Sequence, residues 1–415
     1  MNPDLDRLQP YPFEKLRRLL DGVRPADLPP VSLAIGEPRH PPPAVALEAL
    51  TADLSGFGRY PSTRGDEALR ETFASWLGRR YSLPRADVLA ERHVLPLNGT
   101  REGLFAIAQC VLDRTASARD VLMPNPFYQI YEGATLLAGC RPAFYPIGPD
   151  ADADLDAIDD AAWSRCQMIY VCSPGNPTGA VLSREALVRL IERARRHDFV
   201  IVSDECYGEI YREAAGAPCG LLEAARTAGV DDYARCLAFH SLSKRSNLPG
   251  LRSGFVSGDA TLIERFLAYR TYHGCSMAGP VQAASAAAWG DEAHVIANRA
   301  AYDAKYADVV ERLSTRLDVA IPPGGFYLWP ELAVDDREFT RKLFAEQHVR
   351  VVPGSYLARE PEASGTSGTG GSGAAVTGGL AATADPGRNR LRLALVAPLE
   401  DCRIATSRLL ASLPA

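Results

Sequence analysis

The chain has 415 residues, 47% of them hydrophobic and 23% charged, with a formal net charge of −6. That is an ordinary soluble composition, long enough for two or more domains, and the acidic balance argues against wide contact with a phosphate backbone, which needs a basic face. No apolar run approaches the length of a membrane span, and nine cysteines without a C-x-x-C pair suggest neither a disulfide framework nor a zinc site.

At the amino end, "MNPDLDRLQPYPFEK" lacks the basic-then-apolar profile of a signal peptide, so a cytoplasmic protein is expected. From about Val94 to Gly258, short apolar runs alternate with longer amphipathic ones. "HVLPL", "DVLMP", "RPAFYPI", "QMIYVCS", "FVIVSD", "RCLAFHS" and "RSGFVSG" are expected strands. Between them, "REGLFAIAQCVL" carries one apolar stripe of Leu104, Phe105, Ile107, Ala108, Val111 and Leu112. "SREALVRLIERARRHD" has an N-cap in Ser183 and basic residues at its far end. Such alternation implies a mostly parallel sheet covered by helices on both faces, with ligands at the carboxyl ends of its strands. Residues 48–290 are expected to form this large domain, and 1–47 with 291–415 an arm and a smaller domain. Within the latter, the Gly/Ser/Ala/Thr-rich stretch 361–387 reads as a flexible insertion. Its "GTGGSG" matches a dinucleotide-binding pattern, but no strand precedes it and no helix follows closely, so the match is compositional.

Four stretches carry chemistry. "LPLNGTREGLF" ends a strand in a small-residue turn and opens a helix, whose amides form an anion site. "YVCSPGNPTGAV" presents Asn176 in a turn that this residue also helps to form. "FVIVSDECYGEIY" ends an apolar strand in Asp204, a costly place for a carboxylate without a cationic partner, with Tyr207 three residues on. "HSLSKRSNLPGLRSG" sets Lys244 among hydroxyls, with Arg252 eight residues later. Alone, Lys244 would be a solvated lysine and Asp204 a turn residue; one ligand, pyridoxal 5′-phosphate, explains all four stretches together. Its aldehyde needs a lysine made nucleophilic by burial and nearby cations, its ring nitrogen a buried acid such as Asp204, and its ring oxygen donors such as Asn176 and Tyr207. Ser241, Ser243, Thr100, Arg101 and Arg252 suit the phosphate. Tyr128 offers a stacking face, with Phe127 as a competitor. The seven histidines have no ligand spacing, so no metal is expected.

The order N-P-T-G, then D-x-x-Y, then S-x-S-K with an arginine eight residues on, resembles the class I/II aminotransferases of pyridoxal-phosphate fold type I. The resemblance covers nearly the whole chain outside the Gly-rich stretch. It implies an α/β fold with a mostly parallel seven-stranded sheet between helices and a smaller α/β domain. It implies that Lys244 bears the cofactor and moves the substrate's Cα proton, and that Arg392 in "NRLRLALVAP" grips the α-carboxylate beside Gly36. It implies, too, that Tyr60 in "GRYPSTRGDEALR" reaches the phosphate of a partner subunit in a homodimer with shared sites.

"PNPFYQIYEGA", "SLSKRSNLPGLRSGF" and "YRTYHGCSM" further resemble the proteobacterial N-succinyldiaminopimelate aminotransferases. That resemblance implies exchange of an amino group between glutamate and N-succinyl-2-amino-6-oxopimelate in lysine biosynthesis. It puts Arg270 where a partner-supplied arginine would bind the distal carboxylate, with Arg39, Arg101 and Arg245 as further candidates. Rival readings are an aspartate- or alanine-type aminotransferase, a pyridoxal-phosphate-dependent C–S β-lyase, and a non-catalytic binding protein on the same fold.

Overall fold

The structure, a computed structural model, describes residues 1–148, 150–360 and 385–414. The "GTGGSG" segment and all but the last three residues of the Gly-rich stretch lie outside the described residues.

Among the described residues, twelve strands form three sheets: β1 (Val31–Ser32), β2 (Val94–Leu97), β3 (Asp120–Asn125), β4 (Arg141–Pro146), β5 (Cys166–Cys172), β6 (Val200–Asp204), β7 (Cys236–Ser241), β8 (Gly254–Gly258), β9 (Tyr327–Leu328), β10 (Val349–Arg350), β11 (Val352–Pro353) and β12 (Leu391–Ala394). The large sheet has the order β2-β8-β7-β6-β5-β3-β4. Each of its strands overlaps one of the seven expected segments, with β3 and β5 running one residue beyond theirs. All neighbours pair in parallel except β8, which runs antiparallel to both β2 and β7.

Alternation across the pleat sends successive strand residues to opposite faces. Ile169, Ile201 and Ala238 enter one apolar cluster, while Tyr170, Val202 and Phe239 enter another. With both faces covered, the central strands read as continuous apolar runs instead of alternating ones. The helix Thr100–Val111 covers the second face through Leu104, Ile107 and Ala108. The helix Arg184–His197 covers the first through Leu187, Leu190 and Ile191. Ser183 caps that helix, its Oγ accepting from the Ala186 amide at 3.1 Å, and Asp198 ends it in the left-handed conformation.

At the first face, Phe255 stacks on Phe73 with centroids 4.3 Å apart and meets Trp289 edge-on at 5.0 Å. Truncation of this fully buried ring leaves a cavity that aromatic neighbours cannot close. Phe255→Ala is therefore expected to cost about 3–5 kcal/mol, read as a lower midpoint in urea. An unchanged midpoint would contradict this packing.

The small sheets are held together by residues distant in sequence. β1 pairs with β10, and β12 lies between β11 and β9. Val31, Leu33, Tyr306, Leu328, Leu393 and Leu409 share one cluster there. Pairing of β12 with β9 and β11 brings Arg392 to the carboxyl ends of β5 and β6, where the cavity opens.

Candidate active site

A cavity of about 490 Å³ opens at the carboxyl ends of the parallel strands. The pairing of Cys172 with Asp204, and of Asp204 with Phe239, aligns the ends of β5, β6 and β7 along one edge. Ser241 ends β7, and its Oγ caps the next helical turn by accepting from the Ser243 amide at 3.1 Å. That turn carries Lys244 into the cavity, where its ammonium donates to the Gly36 carbonyl. Burial, reinforced by Arg392 and Arg101 and opposed by Cys206 and Glu37, pushes its pKa down to about 8.

Asp204 is buried at the end of β6. Its Oδ2 accepts from the Tyr131 hydroxyl at 2.8 Å, and its Oδ1 from the Cys206 amide at 3.3 Å. Burial still raises its pKa against these bonds. Tyr131 is itself fixed by stacking on Tyr170, with centroids 4.4 Å apart. The Tyr207 hydroxyl meets that of Tyr327 at 3.1 Å. Phe127 and Tyr128 separate cleanly. Phe127 is buried against Phe144, while Tyr128 lines the cavity and its hydroxyl accepts from Arg101 Nε at 2.6 Å.

Arg392 comes from the small sheet. Its Nη2 donates to the Ala34 carbonyl at 2.8 Å and its Nη1 to Asn176 Oδ1 at 3.2 Å, while its Cζ lies over the Tyr327 ring, 4.6 Å from the centroid. Its buried Nε has no hydrogen-bond partner among the described residues. Asn176 stands in the turn after β5, where the peptide bonds preceding Pro174 and Pro177 are cis. Opposite, Thr100 and Arg101 open the helix Thr100–Val111 behind Gly99, whose φ of +89° favours glycine. A side chain at Gly99 would also run into the Arg252 guanidinium, which donates to the Pro249 and Asn98 carbonyls at 2.7 and 3.3 Å.

The cavity thus gathers Gly36, Thr100, Arg101, Tyr128, Asn176, Asp204, Tyr207, Ser241, Ser243, Lys244, Arg252 and Arg392. Tyr60 lies elsewhere on this chain and is wholly exposed. Arg270 is not among the residues that line this chain's cavity. It is fully buried outside the cavity, bonded to Glu102 and to the Cys275 carbonyl. Arg245 is likewise occupied, by Glu292 at 2.6 Å and the Ala288 carbonyl at 2.8 Å, and Arg39 lies outside the cavity. Tyr131, Cys206 and Tyr327 escaped the sequence reading. Tyr131 follows Tyr128 by one helical turn, a signal that could have found it. Tyr327 sits on a two-residue strand that has no periodicity to read.

The family model described as aminotransferase class I and II matches residues 29–365. An LL-diaminopimelate aminotransferase of Maridesulfovibrio salexigens is 31% identical over 86% of this chain and 92% of its own. A 4-dedimethylamino-4-oxo-anhydrotetracycline transaminase of Streptomyces rimosus is 36% identical over 80% of this chain and 87% of its own. Among solved structures, an aminotransferase from Neisseria meningitidis superposes with a TM-score of 0.90 at 41% identity, covering all of both chains. A probable N-succinyldiaminopimelate aminotransferase from Thermus thermophilus superposes with a TM-score of 0.78 at 26% identity, over 97% of this chain and 99% of its own.

Proposed function

Since the chain belongs to the class I and II aminotransferases, which depend on pyridoxal 5′-phosphate, we propose that it exchanges an amino group between glutamate and N-succinyl-2-amino-6-oxopimelate, giving 2-oxoglutarate and N-succinyl-LL-2,6-diaminopimelate. The observation that carries this reading is one cavity lined by Lys244, the buried Asp204 and Arg392, with Arg101 as a second cation for an acidic substrate. The motif resemblance and the relatives named for diaminopimelate substrates support the same choice.

The donor set fits the cofactor. Asp204 is a buried carboxyl whose charged form is penalised, so a protonated ring nitrogen is the partner that would restore its charge. Thr100, Arg101, Ser241, Ser243 and Arg252 would hold the phosphate, combining a helix N-terminus, hydroxyls and guanidinium forks. Tyr128 would flank the ring, and Asn176 and Tyr207 would donate to its oxygen. The bound cofactor supplies the carbonyl carbon and electron-withdrawing ring on which the amino group is exchanged.

The chain's own residues do the rest. Arg392 grips the α-carboxylate of each substrate, orienting Cα–H toward Lys244. Lys244, as a free amine, takes the proton from Cα and delivers it two bonds away, a transfer suited to a pKa near the working pH. The exposed Tyr60 belongs to a surface we assign to a homodimer, where it would complete the partner's phosphate site.

Two measurements follow. A lysine captures an aldehyde only as its neutral amine, so uptake of pyridoxal 5′-phosphate by the apoenzyme should accelerate as pH rises through about 8 and level off above it. A midpoint near the ordinary lysine value of about 10.4 would contradict the environment described for Lys244. For the substrate, the loaded enzyme is mixed separately with glutamate, N-succinyl-LL-2,6-diaminopimelate, LL-diaminopimelate, aspartate and alanine. Rapid spectral conversion is expected with the first two. Rapid conversion with alanine and none with the succinylated compound would overturn the assignment.

A further inference from the structure

We propose that Arg270 is a positioning residue for cofactor binding, acting on the phosphate cradle from behind through Asn98 and Glu102. The proposal rests on the reading of Thr100, Arg101 and Arg252 as that cradle. Arg270 is wholly buried on the helix Ala260–His273. One arm of its fork donates to Glu102 Oε1, while the other reaches Asn98 Oδ1 at 3.4 Å and the Cys275 carbonyl at 3.3 Å. Asn98 is held at every polar atom. Its amide donates to Glu102 Oε2 at 3.3 Å, its Nδ2 donates to the Ser276 carbonyl at 3.2 Å, and its own carbonyl accepts from Arg252 Nη2 at 3.3 Å. A continuous chain of contacts therefore runs from Arg270 through Asn98 to the arginine that faces the cavity.

Charge gives Arg270 a second task. Glu102 stands in the first turn of the helix whose free amides form the anion site. An unpaired carboxylate there is attracted to the same helix N-terminus that an anion would use, and repels that anion. Ion pairing with Arg270 offsets its charge and holds Oε1, while Oε2 accepts from the Asn98 amide. A buried guanidinium that merely filled space would be an expensive choice, because its own desolvation must be offset by that pairing. Balancing Glu102 and clamping Asn98 is the work that matches its contacts.

The account predicts a rescue. Apoenzymes of the wild type, R270Q and the double variant R270Q/E102Q are titrated with pyridoxal 5′-phosphate, with inorganic phosphate as competitor. R270Q should bind the cofactor about five- to thirtyfold more weakly, the range for a charge at a helix terminus in a partly buried setting. The double variant should regain most of that loss, since the carboxylate left behind by R270Q is gone. R270K keeps the charge but not the fork, and should fall between wild type and R270Q. Wild-type affinity in R270Q or R270K, or a double variant as weak as R270Q, would overturn the proposal. If R270Q does not fold, R270K alone decides: a loss of a few fold supports the proposal, and wild-type affinity overturns it. Failure of the wild-type apoenzyme to take up the cofactor would instead overturn the proposed function.

Discussion

Replacing Lys244 with alanine is expected to lower the transamination rate by about 10⁴-fold or more, because one side chain is asked to be both nucleophile and proton carrier. The geometry allows no substitute. Within the cavity, the other positive groups are the guanidiniums of Arg101, Arg252 and Arg392, which cannot give up a proton near neutral pH. Arginine at position 244 should be as inactive as alanine, which separates loss of chemistry from loss of charge. Both variants should still bind the cofactor, since the phosphate cradle, Asp204 and Tyr128 remain. Single-turnover rates with glutamate, set beside cofactor content, provide the check. Residual activity within tenfold of wild type would remove Lys244 from the reaction.

Arg392→Ala should have the second largest effect, a fall in kcat/KM of roughly 10²- to 10³-fold for every amino and keto substrate alike. Truncating one member of a buried, hydrogen-bonded charge pair costs about 2–5 kcal/mol, and the α-carboxylate is common to all substrates. Lysine should restore little, because the fork that spans Ala34 and Asn176 has no counterpart in an ammonium. Arg101→Ala, by contrast, should penalise the succinylated substrate more than alanine. Equal losses for both substrates in the Arg101 variant would argue against that residue as the second cation. Because Arg392 also supports Asn176, unchanged cofactor absorbance in the Arg392 variant is the control that isolates substrate binding.

The large sheet was legible because its information is local. Each strand is an apolar run closed by a turn, and β6 ending in Asp204 or β7 ending before Lys244 needs only a few residues to recognise. The antiparallel direction of β8 was not legible, since pairing direction is decided by a neighbour distant in sequence. Nor was the core around the small sheets: strands of two residues, such as β1, β9 and β10, have no measurable period. Phe127 and Tyr128 could be told apart only after the end of β3 had fixed which of the two consecutive side chains faces the cavity. Arg270 was placed by motif resemblance alone, and only the fold reveals that its side chain is buried on Glu102.

The chain contains four lysines, Lys15, Lys244, Lys305 and Lys342, which makes the central claim simple to test. Lys305 is the natural competitor, because burial pushes its pKa to about 8 as well, although it is bonded to His40 at 2.7 Å and lies outside the cavity. The loaded enzyme is reduced with borohydride, digested, and its peptides are mapped by mass. The pyridoxyl mass is expected on the peptide containing Lys244 and on no other; label on Lys305, on either remaining lysine, or on none would contradict the account.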